Sequence, residues 1–273
     1  MVDFRQVKEW GEYLETRGWT TDTVKSADKR KSLQVLIFKL GFWPWSLLKL
    51  QRNEVDPDFD DLKRVCNKHR VIQTVIEPLK IQSPERYMKA GFKRAKYPFL
   101  ATKTVVIDLK QPEETLWKKL SENSKRLIRN NERAKREVIS PDEFHDIWKM
   151  NSKVWVLSIS ELKNLLNSFG KNSRLSVIRN NEGVHSGLLT LMTKDTVNYF
   201  QTFTTALGRK SGAHYKLVWE EILLAKKSGA HFYDFEGIFD PEYPIKKWKG
   251  FTEFKQKFGG EVVHHPGSFS KWF

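Results

Sequence analysis

Apolar positions recur along this chain with two periods, and the switches between them mark its elements. In "VKEWGEYLETRG", from Val7 to Gly18, they fall at helical spacing and the glycine marks a stop, which predicts an opening helix. "LQVLIFKLGF" (33–42), "VIQTVIEP" (71–78) and "TKTVVIDL" (102–109) are rich in β-branched and apolar residues and predict strands, with "SPERYMKAGF" (83–92) as a short helix. A basic helix follows from Lys118 to Arg136. Ser140-Pro141-Asp142 then opens a helix that "DEFHDIWKMNSKVW" carries to Trp155, and "ISELKNLLNSF" (159–169) predicts a second. Residues 174–206 alternate in three runs separated by "NNEG" and "TKD", the pattern of an antiparallel meander. "AHYKLVWEEILLAKKSG" is an amphipathic helix ended by Gly229, and Phe232 to Phe235 has strand composition. From Tyr243 to Phe258 the positions Ile245, Trp248, Phe251, Phe254 and Phe258 predict a helix with an aromatic stripe, with Lys247, Lys249, Lys255 and Lys257 off it. Gly259 and Gly260 stop that helix, and "EVVHH" begins a last strand.

The second half therefore reads helix, helix, three antiparallel strands, helix, strand, helix, strand. That is the order of a GNAT-type acyltransferase, an α+β fold. Such enzymes hold coenzyme A pyrophosphate on a glycine-bearing turn at a helix N-terminus, where backbone N–H groups and the helix dipole meet the phosphates. In "LGRKSGAHYKL" Arg209 and Gly212 fit that turn, but His214 stands where a small residue is wanted. Half a cradle argues against a coenzyme A donor.

Composition narrows the class. The chain of 273 residues has a 39% apolar fraction with ten Trp and eighteen Phe, which suits a folded core, and no apolar run is long enough to span a bilayer. The N-terminus "MVDFRQVKEWGEYL" has an early acid and no apolar core of a secretion signal, so a cytoplasmic location is the expectation, with peripheral membrane contact left open. Cys66 stands alone, which excludes an internal disulfide and a thiolate metal cluster and reads as a packed or surface thiol. A formal charge of +15 points to polyanionic partners, and "KKLSENSKRLIRNNERAKR" concentrates eight basic residues against two acidic ones.

"RQVKEWGEYLETRGW", "KAGFKRAKYPFLATKTVVIDL", "LWKKLSENSKRLIRNNERAKRE", "LVWEEILLAKKSGAHFYDFEGI" and "GFTEFKQKFGGEVV" occur in the order seen in the Fem family of non-ribosomal peptidyltransferases, which the chain resembles over almost its whole length. Members of that family use aminoacyl-tRNA to add amino acids to peptidoglycan precursors. The resemblance implies two GNAT-like domains sharing a cleft, here expected as residues 1–139 and 140–273, without the helical hairpin that some members carry between them. It also implies aminoacyl-tRNA and a nucleotide- or lipid-linked muropeptide as partners. No cofactor or metal is called for, and a monomer is expected.

The same resemblance nominates residues. A Phe-Lys pair on the family's last helix lies near the acyl-transfer centre, and Phe254-Lys255 stands at the matching place, with Lys255 as the oxyanion-stabilising residue and Lys257 as the competing choice. Arg126 matches a phosphate-binding arginine on the basic helix, while Asn130 replaces the tyrosine one turn on. A family tyrosine of the third meander strand falls at Gln201 and a first-domain lysine at Lys39. From the residues themselves, Asp234 and Glu236 end a strand, where loops and sites gather, and are candidates to take a proton or orient the amine. His264 and His265 alternate faces on a strand, so at most one points inward. Asp108 reads as a strand-end cap. Two other readings stay open: a GNAT N-acyltransferase with an acyl-CoA or acyl-carrier donor, and a non-catalytic RNA-binding protein.

Overall fold

The computed structural model describes residues 1–41, 43–81, 83–152, 156–245 and 248–273. The elements run α1 (Lys8–Glu15), β1 (Trp19–Lys25), β2 (Ser32–Lys39), β3 (Ser46–Gln51), α2 (Phe59–Lys68), β4 (Val71–Glu77), α3 (Pro84–Lys89), β5 (Lys93–Arg94) and β6 (Lys103–Asp108). Then come α4 (Glu113–Lys119), α5 (Glu122–Asn130), β7 (Lys135–Val138), α6 (Pro141–Asn151), α7 (Ile159–Phe169), β8 (Ser173–Asn180), β9 (Gly183–Met192) and β10 (Thr196–Thr204). The last are α8 (Ala206–Ser211), α9 (His214–Lys227), β11 (Phe232–Gly237), α10 (Lys249–Gln256), β12 (Glu261–His264) and β13 (Phe269–Trp272).

The chain divides into two compact units, each with one sheet of this α+β fold. One unit takes 2–103, 239–245 and 264–273; the other takes 104–238 and 246–263 with Met1. The expected linear boundary at 139/140 falls inside the second of these, because β7 pairs antiparallel with β8 and ties 135–138 to the meander. The first unit is completed from the far end of the chain. Its sheet order is β1-β2-β3-β4-β13-β5, so the C-terminal strand sits between β4 and β5. Its core is Val35, Ile37, Leu48 and Leu50 packed with Leu62 and Val65 of α2, and Cys66 is packed there beside Thr74 (Sγ to Oγ1 3.3 Å). Burial pushes its thiol pKa up, as expected of an inert packed cysteine.

The second unit holds the meander. Its sheet order is β12-β6-β11-β10-β9-β8-β7, with β10 and β11 parallel and joined by α9. α9 lays Leu217, Val218 and Ile222 against that sheet. Asp108 caps the end of β6 by accepting from the Lys110 N–H at 3.0 Å. A single helix, α6, fills 141–151 where a hairpin insertion would stand.

Three expectations need correction. The stretch 118–136 is not one helix: Leu120 is buried in extended backbone, Ser121 caps α5 by accepting from the Ser124 N–H, and the segment ends in a strand. The expected helix 243–258 forms only as Lys249–Gln256, with Ile245 and Phe251 exposed, so the stripe is split; Lys247 lies outside the described residues. The helix expected to reach Trp155 ends at Asn151, and Trp155 also lies outside them. Strands β1, β3 and β13 and helix α2 were not legible from periodicity.

Candidate active site

The short α10 ends in a place where only glycine fits. Gly259 has φ +75, and a Cβ there would lie 2.5 Å from the Lys119 carbonyl oxygen. This close approach lets the Lys257 carbonyl accept from the Ser121 N–H at 2.9 Å and the Ser124 hydroxyl at 3.2 Å. The register of α10 is thus fixed against α5. It turns Lys255 into the unit and leaves Lys257 half-buried at the helix cap.

Lys255 is buried, and its Nζ donates to the Gly237 carbonyl at 2.7 Å. The ammonium also lies 5.6 Å from the centre of the Tyr199 ring, within cation–π range. Burial pushes its pKa down to about 8, against the pull of Glu236 and Asp234, which raise it. A desolvated ammonium is a costly object, and its partners are arranged around it.

Asp234 and Glu236 stand at the end of β11, where the pairing with β6 slips between Asp234 and Gly237. Asp234 is buried; it accepts from the Thr104 hydroxyl and from the Glu236 N–H, the latter at 2.7 Å. These bonds hold Glu236 in the left-handed region at φ 59, a conformation costly for a residue with a Cβ. Strain of this kind persists where the surroundings over-determine it. Here it aims the Gly237 carbonyl at Lys255.

Tyr199, at a bulge in β10, puts its hydroxyl 2.8 Å from His214 Nε2. Burial holds the phenol's pKa above its ordinary value and the imidazole's down to about 4, so both are neutral at neutral pH. The O–H is then the donor and Nε2 the acceptor. The Nδ1 of His214 is buried without a protein hydrogen-bond partner. The imidazole stacks on Phe254 at 5.2 Å, and Phe254 also packs on Tyr215 and Phe258.

Of the residues expected from the sequence, Lys255, Phe254, Asp234 and Glu236 come together. Arg126 and Asn130 lie exposed on α5, and the Arg126 Nη2 donates to Asn123 at 2.8 Å. Gln201 is half-buried on β10, across the bulge from Tyr199. Lys39 is exposed at the end of β2 and belongs to the other unit. So do both histidines: His264 is exposed, and His265 is buried with its Nδ1 3.2 Å from the Leu79 carbonyl. Sequence reasoning passed over Tyr199 and met His214 only as a flaw in a phosphate cradle. The flaw was the signal, since a large polar residue at that helix start needs an inward partner.

The cradle itself is filled. Arg209 Nη1 donates to the Thr204 carbonyl at 2.6 Å, the Ala213 N–H donates to Ser211 Oγ at 3.2 Å, and the Tyr215 N–H donates to Gly212 at 3.1 Å. Amides spent this way are not offered to a pyrophosphate. Among the described residues no three His, Cys, Asp or Glu are grouped to hold a metal ion, and no helix is long and apolar enough to cross a membrane.

Comparison with known proteins bears on this arrangement. The stretch 155–272, which carries the meander, α9, β11 and α10, matches the FemAB family. The crystal structure of FemX superposes with a TM-score of 0.83 at 13% identity, covering 99% of this chain and 92% of that one. L-PGS from Bacillus licheniformis has a TM-score of 0.56 at 11% identity over 98% of this chain and 92% of that one. A tandem GNAT protein from the clavulanic acid biosynthesis pathway has a TM-score of 0.56 at 11% identity, covering 93% of this chain and 83% of that one. At these identities the likeness shows the fold, a pair of GNAT-like domains. No curated protein matches the sequence. The family match covers 155–272, less than half of the chain, and the structural matches show the fold.

Proposed function

We propose that the chain is an aminoacyltransferase that moves an amino acid from aminoacyl-tRNA to an amine of a nucleotide- or lipid-linked muropeptide in the cytoplasm. The observation that carries this reading is Lys255, a buried ammonium that donates to one carbonyl oxygen and sits beside two carboxylates. The acceptor amine attacks the carbonyl carbon of the aminoacyl ester, and negative charge gathers on the former carbonyl oxygen. Lys255 meets that charge. A single donor aimed at an oxyanion is worth about 3–4 kcal/mol in a site screened from water. Glu236 takes the proton that the amine loses, and Asp234, tied to Thr104, keeps Glu236 in its strained pose. The ester C–O bond then breaks, and Glu236 passes that proton to the ribose oxygen of the tRNA, which leaves as a hydroxyl. Alignment of amine and ester supplies roughly 7–11 kcal/mol more. Phe254 fixes the helix that carries Lys255, while Arg126, Asn130 and Gln201 serve the acceptor; the Lys39 that the resemblance nominated belongs to the other unit and is given no part in this centre. The exposed bases of α5 suit a polyanion.

The filled cradle at α9 weighs against an acyl-CoA donor. A pure RNA binder would gain nothing from a buried ammonium that costs stability. The test is incubation with charged total tRNA and a panel of muropeptide precursors, read by mass spectrometry of the acceptor. A mass gain of one aminoacyl residue is the expected result. Consumption of acyl-CoA without transfer from tRNA would replace the reading by the N-acyltransferase one, and salt-dependent tRNA binding without any transfer would replace it by the RNA-binding one.

A further inference from the structure

The sheet of the first unit has two unlike faces. Ile37 and Leu48 point into its core, whereas the opposite face carries a row fixed by strand register: Trp19 opposite Phe38, Phe38 opposite Leu47, Leu47 opposite Gln73, and Gln73 opposite Trp272. Residues directly opposed on neighbouring strands share a face. Along the row Phe38 is 37% and Trp272 67% exposed. The turn between β2 and β3 adds Trp45 at 45% and Trp43 at 65%, their rings stacked at 5.3 Å and 3°. Trp45 continues the alternation of Leu47 and Lys49, so it joins the same face. An apolar face of this extent on a water-soluble surface marks an interaction site.

We propose that this face docks on an anionic bilayer surface. Its aromatics are mainly tryptophans, whose rings settle at the headgroup level of membranes. The rings also pack on one another, Trp43 on Trp45 and Trp19 tilted against Phe38 at 5.1 Å, which joins them into one amphipathic patch rather than a row of separate platforms for successive bases. Lys49 stands on the same face two residues along β3 from Leu47, its ammonium 5.4 Å from the Trp19 ring, and Lys39 stands exposed at the end of β2. Lysines on apolar stems snorkel toward lipid phosphates. Two copies meeting face to face would set these lysines against their counterparts, which disfavours self-association. The inference does not depend on which acyl donor the other unit uses.

The full chain is tested by sedimentation with sucrose-loaded vesicles of phosphatidylglycerol and phosphatidylethanolamine, against phosphatidylcholine alone. Partition onto the anionic vesicles should exceed that onto phosphatidylcholine by about tenfold or more, because surface charge adds to ring insertion. The Trp43→Ser/Trp45→Ser double variant, and separately Trp272→Ser, should each lose about fivefold or more in partition, since each removes exposed aromatic area. All are surface changes, and circular dichroism checks that the variants fold. Quenching of tryptophan emission by brominated lipid should accompany binding in the wild type and fall in the double variant. Failure of the wild type to sediment with the anionic vesicles would overturn the proposal, and so would variants that partition as the wild type does. Loss of tRNA binding in the same variants, with vesicle binding absent, would assign the face to RNA instead.

Discussion

Two lysines in this molecule lie over aromatic rings at nearly the same distance, and they have opposite surroundings. In the first unit Lys49 sits 5.4 Å from the Trp19 ring on a half-open sheet face. In the second, Lys255 sits 5.6 Å from the Tyr199 ring inside the fold. The contact is the same and the solvent is not. A surface ammonium keeps its water and adds adhesion at modest cost. A buried one loses its water, drops in pKa to about 8, and must be supported by Gly237, Asp234 and Glu236. Desolvation rather than ring contact makes one lysine a candidate for chemistry and leaves the other to recognition.

The sharpest way to break the comparison is to remove each charge. Lys255→Met should lower single-turnover transfer from aminoacyl-tRNA by roughly a hundredfold or more, because an oxyanion contact acts in the transition state. Lys257→Met and Lys49→Met should each cost less than about threefold, since neither ammonium is buried at that centre. The same substitution reads stability. A pKa lowered from 10.5 to about 8 means the native state pays about 3 kcal/mol to hold the charge at neutral pH. That cost is complete below pH 8 and vanishes as pH rises toward 10.5. The thermal midpoint of Lys255→Met at neutral pH should therefore match or exceed that of the wild type, with the Gly237 bond and the contact with the Tyr199 ring lost to offset part of the gain. A large drop in midpoint would make Lys255 a structural residue.

A second effect is smaller and separates charge from shape. The ratio of wild-type to Lys255→Met rates should fall as pH rises through about 8, as the ammonium deprotonates, and should be flat below. Taking the ratio cancels the titration of the acceptor amine. A flat ratio up to pH 10 would show that the charge is not what acts.

The smallest expected effect concerns the pair that the sequence did not announce. Tyr199→Phe removes the hydroxyl that His214 Nε2 accepts from, and leaves that buried nitrogen with only the longer 3.4 Å contact to the Thr202 hydroxyl, at a cost of about 1–2 kcal/mol. Turnover should fall by less than about tenfold, because Tyr199 supports the lysine with its ring, which phenylalanine retains. His214 contributes stability that is present above its ordinary pKa of 6.5 and lost as pH falls toward 4. Acid unfolding of Tyr199→Phe followed by circular dichroism tests both points. An unchanged midpoint would mean the hydroxyl bond contributes nothing.

Much of the second unit was legible because its elements are long and periodic. The meander, α9 and the Gly259 stop each follow from local spacing and turn residues, as does the acidic strand end at Asp234. The first unit was less legible. β1 "WTTDTVK" is polar on both faces along much of its length, and β13 is four residues at the chain's end, so neither shows alternation against a background. The domain boundary was hidden for a related reason: the sheet of one unit borrows a strand from residues 269–272, and no linear pattern records such a return.

The sequence by itself determined most elements of the second unit and the basic surplus, because these depend on neighbours within one helical turn or one strand, while the Phe254-Lys255 pair was singled out by the family resemblance. Only the tertiary structure decided that Lys255 is buried while Lys257 is not. That choice rests on the approach of Gly259 to Lys119 and on hydrogen bonds from Ser121 and Ser124, residues more than a hundred positions away. Periodicity had put both lysines off the aromatic stripe and on the wet side of a longer helix. The helix proved short and its stripe was split. Burial of a charge depends on what packs over it, and that partner came from a distant part of the chain.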